Sequence, residues 1–222
     1  LIQDRKVLRY IGKKYITARR EMGFLVPSKG YEYATIKGHK CAIIVGDDLS
    51  RERDFDQSVE TVISINARKY GKGTMTYRYE MMRNLAFVES KNLVLVNQVG
   101  GSTDIVYDGT SGALNSRGEL VLMMKNFEED FQIFDTKASA RPISIPSTYN
   151  DRTRLVYEAA RCGLRDFFRK NGYRKASIGL SGGIDSAVVA SIAADALGAE
   201  NVRALLMPSP FSSLESVEDA KV

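Results

Sequence analysis

Residues 176–198 read ASIGLSGGIDSAVVASIAADALG, and this stretch constrains the fold more than any other. An apolar run of strand length, 176–180, gives way to Ser181-Gly182-Gly183. A helical pattern opens at Ile184 and runs to Leu197, where Gly198 stops it. A second strand pattern, VRALLM, follows at 202–207. Strand, tight loop, helix and strand in that order specify a β-α-β unit, with parallel strands and a right-handed crossover. The chain is therefore expected to contain a parallel β-α-β unit of an α/β fold.

The glycines between strand and helix need a reason. A helix N-terminus leaves backbone N–H groups unpaired and carries partial positive charge. Glycine lets an anion approach those groups with no Cβ in the way. Gly179 and Leu180 end the strand, Ser181 and Ser186 add hydroxyl donors, and Asp185 offers a carboxylate to Mg²⁺ beside phosphates. Neither the Walker spacing nor the dinucleotide pattern is present. The loop predicts a site for nucleotide phosphates; the alternative is a tight turn with Asp185 as N-cap and no ligand.

Composition narrows the function classes. The net charge of +5 is spread along the chain without a block of like charges, which favours small anions over nucleic acid. No apolar run reaches the ~18 residues that span a bilayer, and LIQDRKVLRY lacks the apolar core of a signal peptide. The two cysteines, Cys41 and Cys162, have no metal-ligand spacing. A reduced, cytoplasmic protein is expected, with no membrane or nucleic-acid partner. Both ends read as cut, so a fragment is expected.

Before the β-α-β unit, strand patterns fall at 40–46, 61–66, 93–98 and 119–125, the last preceded by the turn sequence NSRG. Met75, Tyr79, Met82 and Ala86 share one face of a predicted helix between the second and third strands. A mixed α/β layered domain is expected over 1–137, a Pro-containing linker over 138–150 and a second domain over 151–222. The helix expected over 151–172 has an apolar stripe of Val156, Ala160, Leu164, Phe167 and Phe168, basic Arg169 and Lys170 in its last turn, and Gly172 as its stop.

SGGIDSA at 181–187 resembles the pyrophosphatase-type loop of ATP-dependent amidotransferases and ligases, and MPSPFSSLESVEDA at 207–220 resembles the NAD synthetase branch of that group. LIQDRKVL, INA at 65–67, VNQVGG at 96–101 and VYDGTSGALNSRGEL at 106–120 resemble a nitrilase-like glutaminase domain. Together they resemble the glutamine-dependent NAD synthetase family. The resemblance implies a nitrilase-like α/β sandwich portion, then the first β-α-β unit of a parallel doubly wound ATP-pyrophosphatase sheet. It also implies that the carboxylate of nicotinate adenine dinucleotide attacks ATP, an adenylate forms, pyrophosphate leaves with Mg²⁺, and ammonia from glutamine displaces AMP. The ATP-binding residues would be Gly179 to Ser186, with Met207 and Pro208 bordering the adenosine and Asp185 holding Mg²⁺. A homo-oligomer is implied as well.

The sequence departs from the family at the glutaminase site. A nitrilase-type glutaminase uses Glu, Lys and Cys. The family's C-E-D run is matched here by VGDDL, so Gly46 stands at the nucleophile position and Asp47 at that of the Glu. Cys41 is five residues away, ~16 Å along a strand and on the opposite face, so it does not substitute. Lys13 best matches the catalytic lysine, with Lys14 as the alternative register and a surface lysine as the plain reading. The matching Glu would lie upstream of Leu1. INARKYGKG also departs from the small residues and proline that the family carries after Asn-Ala.

These features predict a glutaminase half that does not hydrolyse glutamine. It would be a structural remnant in an enzyme fed by free ammonia, a deliberately altered site, or a faulty record. The alternatives are a nitrilase-like pseudoenzyme or another amidotransferase with the same ATP loop. His39, in KGHK, is expected to be an ordinary turn residue rather than a metal ligand, and Asp47 and Asp48 a solvated or hydrogen-bonded strand end.

Overall fold

The computed structural model describes the chain except Leu1, Asp4, Leu8, Ala18, Arg20, 52–54, 137–140, 208–217 and 219–222. The chain divides into two compact units, Leu1–Val99 with Tyr107–Pro146, and Gly100–Val106 with Ser147–Val222. Residues 100–106, which the sequence reading places in the first domain, cluster with the second unit.

The first unit opens with a short antiparallel pair, β1 (Ile2–Gln3) and β2 (Lys6–Val7). Its core is a mixed sheet formed by β3 (Glu32–Ile36), β4 (His39–Val45), β5 (Thr61–Asn66) and β6 (Asn92–Asn97), with α1 (Thr74–Glu89) between the last two. β4, β5 and β6 run parallel and β3 adds antiparallel to β4. Two further strands, β7 (Val99–Ser102) and β8 (Ile105–Asp108), form a separate pair. β9 (Gly112–Leu114) and β10 (Leu120–Met123) then extend the main sheet, giving the order β10-β9-β6-β5-β4-β3.

The expected hairpin at NSRG joins β9 to β10: Gly118 donates its N–H to Asn115 O at 2.9 Å, and Gly118 itself has φ +74°. The expected apolar face of α1 is the buried one, since Met75, Tyr79, Met82 and Ala86 are all buried. Arg78 is buried with them and forms a bidentate pair with Asp108, at 3.1 and 2.6 Å.

The second unit contains α2 (Arg152–Asn171), β11 (Ala176–Leu180), α3 (Ile184–Leu197) and β12 (Val202–Leu206). β11 and β12 pair in parallel with Ala176 opposite Val202, as the β-α-β pattern requires. Asp151 caps α2 by accepting the Arg154 N–H, and Gly172 ends it at φ 73°.

The apolar stripe expected on α2 is corrected. Leu155, Ala159, Cys162 and Asp166 are the buried residues, whereas Val156 and Phe167 are exposed at 61% and 47%. The reason is the segment 100–106. A Cβ on Gly101 would sit 3.0 Å from Gly163 Cα, so this backbone lies against the small side of the helix. There the Gly101 N–H donates to Asp166 Oδ2 at 2.8 Å, and Lys170 Nζ donates to Gly101 O. A carboxylate becomes buried because it has an amide to accept.

Candidate functional site

The loop after β11 is built as the sequence suggests. Gly182 turns the chain at φ +79°, a left-handed conformation that a side chain would strain. Gly183 is the N-cap of α3, and no side chain caps the helix. Asp185 sits in the first turn of the helix instead of at its cap. The plain reading of the loop as a turn capped by Asp185 therefore does not hold. The orphan donors of the first turn face a stretch in which Ser181, Gly183, Ile184 and Asp185 are exposed.

Hydroxyls hold the loop's shape. The Ser181 N–H donates to Ser186 Oγ at 3.2 Å, Ser186 Oγ donates to Gly183 O at 2.8 Å, and the Gly183 N–H donates to Ser181 Oγ at 3.3 Å. At the strand end, a Cβ on Gly179 would lie 2.8 Å from Met207 Cε, so the glycine leaves room for the methionine to fold back over the strand. Met207 itself is 73% exposed. Pro208, expected beside it, lies outside the described residues.

Asp185 is a single exposed carboxylate. Among the described residues no cluster of three or more His, Cys, Asp or Glu side chains could hold a metal. That donor set fits Mg²⁺, which takes one or two carboxylates and draws its other ligands from phosphate and water.

In the first unit, Gly46 opens a 3₁₀ turn at the end of β4, with φ +61°. Lys13 arrives there from far upstream in the sequence: its Nζ and Cε each lie 3.3 Å from where a Cβ on Gly46 would stand. The structure thus brings the two expected glutaminase positions together, and Lys13 is not a surface lysine, its side chain being 13% exposed.

Sequence reasoning missed Glu21. Its carboxylate pairs with Lys13 Nζ at 2.6 Å, and only a fold that returns the 13–28 segment on itself could show it. Asp47 lies 3.6 Å from Lys13 Nζ and 3.8 Å from Arg68 Nη2, and accepts from Thr17 Oγ1. Burial pushes the Asp47 carboxyl up, but the Thr17 hydroxyl and the Lys13 and Arg68 charges outweigh it and hold the group below its ordinary value. Asp48 is buried and accepts the N–H groups of Lys14 and Tyr15 at 3.0 and 2.8 Å.

Burial raises the pKa of Cys41, as does the charge of Glu60, and burial likewise raises that of Cys162. His39, expected in a turn, is the first residue of β4 and pairs with Glu60 at 2.9 Å.

Residues 156–222 match the family model for NAD synthase. The glutamine-dependent NAD(+) synthetase of Synechocystis sp. is 35% identical over 85% of this chain and 37% of its own length. That of Acinetobacter baylyi is 33% identical over 87% of the chain and 37% of its length. The solved glutamine-dependent NAD+ synthetase of Acinetobacter baumannii, in complex with adenosine diphosphate, superposes with a TM-score of 0.82 at 30% identity, covering 99% of this chain and 44% of that one. A synthetase structure from Cytophaga hutchinsonii shares the fold at TM-score 0.68 and 16% identity, over 86% of this chain and 38% of that one. The chain spans well under half the length of these relatives. With both units matched in one alignment and in the same order, the chain belongs to the glutamine-dependent NAD synthetase family.

Proposed function

We propose that the protein to which this chain belongs forms NAD by ATP-dependent amidation of nicotinate adenine dinucleotide. The observation that carries this reading is the uncapped N-terminus of α3 behind a left-handed Gly182, with Ser181 and Asp185 exposed at its mouth. Phosphate oxygens meet amide donors there at no conformational cost. The first-turn amides and the Ser181 hydroxyl hold the departing pyrophosphate, stabilising charge that grows as the substrate carboxylate attacks the α-phosphate. Asp185 is the residue that would hold Mg²⁺. The ion, when bound, neutralises phosphate charge as the bond to the leaving pyrophosphate breaks. Met207 borders the adenosine, at the carboxyl end of the parallel strands where open α/β sheets take their ligands.

Ammonia then displaces AMP from the adenylate. Gly46 has no side chain to attack an amide, and Cys41 and Cys162 are both buried. The first unit therefore contributes structure, and free ammonia is the nitrogen source. Among the described residues no helix is long and apolar enough to cross a membrane. A cytoplasmic homo-oligomer is our reading of the assembled enzyme.

The test is to assay the intact protein with ammonium and with glutamine as the nitrogen source. Product with ammonium alone, abolished by Asp185→Ala together with Mg²⁺-dependent ATP binding, is expected. Equal or faster turnover with glutamine would end the ammonia reading, and a protein that binds no ATP would end the ligase reading.

A further inference from the structure

Asp48 takes no part in the reaction proposed above, yet it is 1% exposed and fully engaged. It accepts the amide hydrogens of Lys14 and Tyr15, the two residues directly after Lys13. From the other side, the Ser28 N–H donates to Lys13 O at 2.8 Å. The backbone at Lys13 is thus pinned on both flanks. Its ammonium is tied to Glu21 at 2.6 Å and lies against the position that a side chain on residue 46 would occupy. A long, flexible side chain has few rotamers left under those constraints.

We propose that Asp48 is the positioning residue of this pocket: by holding the backbone after Lys13 it sets where the Lys13 ammonium, which the resemblance to a glutaminase site makes the anion-holding group at position 46, comes to stand. The charged groups around that position are Lys13 and Arg68, and against them Glu21 and Asp47, which pair with those cations, and Asp48, which holds the Lys14 and Tyr15 amides. Arg68 has its Nε and Nη2 buried with no hydrogen-bond partner, so it too has donors to spare. Lys13 is in contact with the position, and the closest charge dominates. The choice of cysteine as probe rests on reading the first unit as a glutaminase remnant. The readout is thiol titration, which needs neither glutamine nor ATP, so its failure is separate from failure of the proposed reaction.

In the intact protein, three variants are compared: Gly46→Cys alone, with Lys13→Met, and with Asp48→Asn. Folding is checked by circular dichroism. The alkylation rate of the introduced thiol by iodoacetamide is then followed from pH 5 to 10 by peptide mass spectrometry, which separates it from Cys41 and Cys162. At pH 7 the Gly46→Cys protein is expected to react at least about tenfold faster than the Lys13→Met double variant, because only the thiolate reacts. The Asp48→Asn double variant is expected to shift its pH profile with the Lys13→Met one although Lys13 is present. If Asp48→Asn does not fold, Asp48→Glu is read the same way, since it keeps the charge and moves the carboxylate by one methylene. A folded Asp48 variant with the unchanged Gly46→Cys profile overturns the positioning role. Identical profiles with and without Lys13 overturn the anion-holding position.

Discussion

At the scale of single residues, buried charge marks where the fold is specified. Asp166 is the clearest case. Burial alone would raise its carboxyl, but the Gly101 amide and the Arg165 and Arg169 charges hold it below the ordinary carboxylate value. A group whose native pKa is depressed stabilises the fold fully above its unfolded value, and loses that contribution as pH falls through the native one. The stability gap between the native chain and Asp166→Asn is therefore expected to be widest near neutral pH. It should close below the unfolded carboxylate value of about 4, as read from urea midpoints at each pH. A gap that stays constant down to pH 2 would contradict this. Residues of this kind were the least legible in the sequence. Asp166 and Arg78 both sit where helical periodicity alone would put an apolar side chain, and each is buried because of a partner far away in sequence, Gly101 or Asp108. No local pattern encodes such a partner.

At the scale of elements, the sequence was a better guide, for a physical reason. Strand and helix periodicities are local, so β5, β11 and α3 were legible almost to the residue, as was the buried face of α1. Short strands were not: β7, β8 and β9 are glycine-rich or only three or four residues long, too short for alternation to register. In β9 the glycine is the design. A Cβ on Gly112 would lie 2.5 Å from Leu122 O and 2.8 Å from the Tyr79 hydroxyl, so the strand passes between its neighbour's backbone and α1 with no room for a methyl. Gly112→Ala is expected to destabilise the first unit by about 2 kcal/mol or more, in the range of overpacked sites, measured as a fall in its denaturation midpoint. A change below about 0.5 kcal/mol, the level of neutral surface substitutions, would mean that the β9–β10 pair shifts freely.

At the scale of the whole molecule, the two candidate sites were legible to different degrees. The loop after β11 is contiguous, so sequence named all of it but the capping pattern. The pocket at Gly46 is assembled from residues 13, 17, 21, 47 and 68, so sequence named Lys13, position 46 and Asp47 but not Thr17, Glu21 or Arg68 beside them. The second unit also leaves apolar side chains exposed on its sheet and helix: Leu205 and Leu206 at 42% and 40%, and Ile184 at 75%. The 222-residue chain is accordingly expected to bind an apolar fluorescent dye such as anilinonaphthalene sulfonate in its native state, because clustered exposed apolar surface takes up such probes. Leu205→Lys should lower the signal, and an unchanged signal would place the dye elsewhere.

The hydroxyl pair in the loop has one further consequence. Ser186 has a single proton and spends it on the Gly183 carbonyl, so the 3.2 Å approach of the two Oγ atoms is made with Ser181 as the giver. That proton is held only by a long, neutral contact, and rotation about one bond would redirect it to an arriving oxyanion while the main chain stays still. Ser181→Ala should therefore weaken nucleotide binding roughly tenfold, as the loss of one charge-assisted hydrogen bond implies, with the Gly183 amide, which loses its Ser181 Oγ acceptor, the one signal of 182–186 that moves. Ser186→Ala should disturb those spectra even with no nucleotide present. The first serine is the movable hand of the loop and the second its hinge pin.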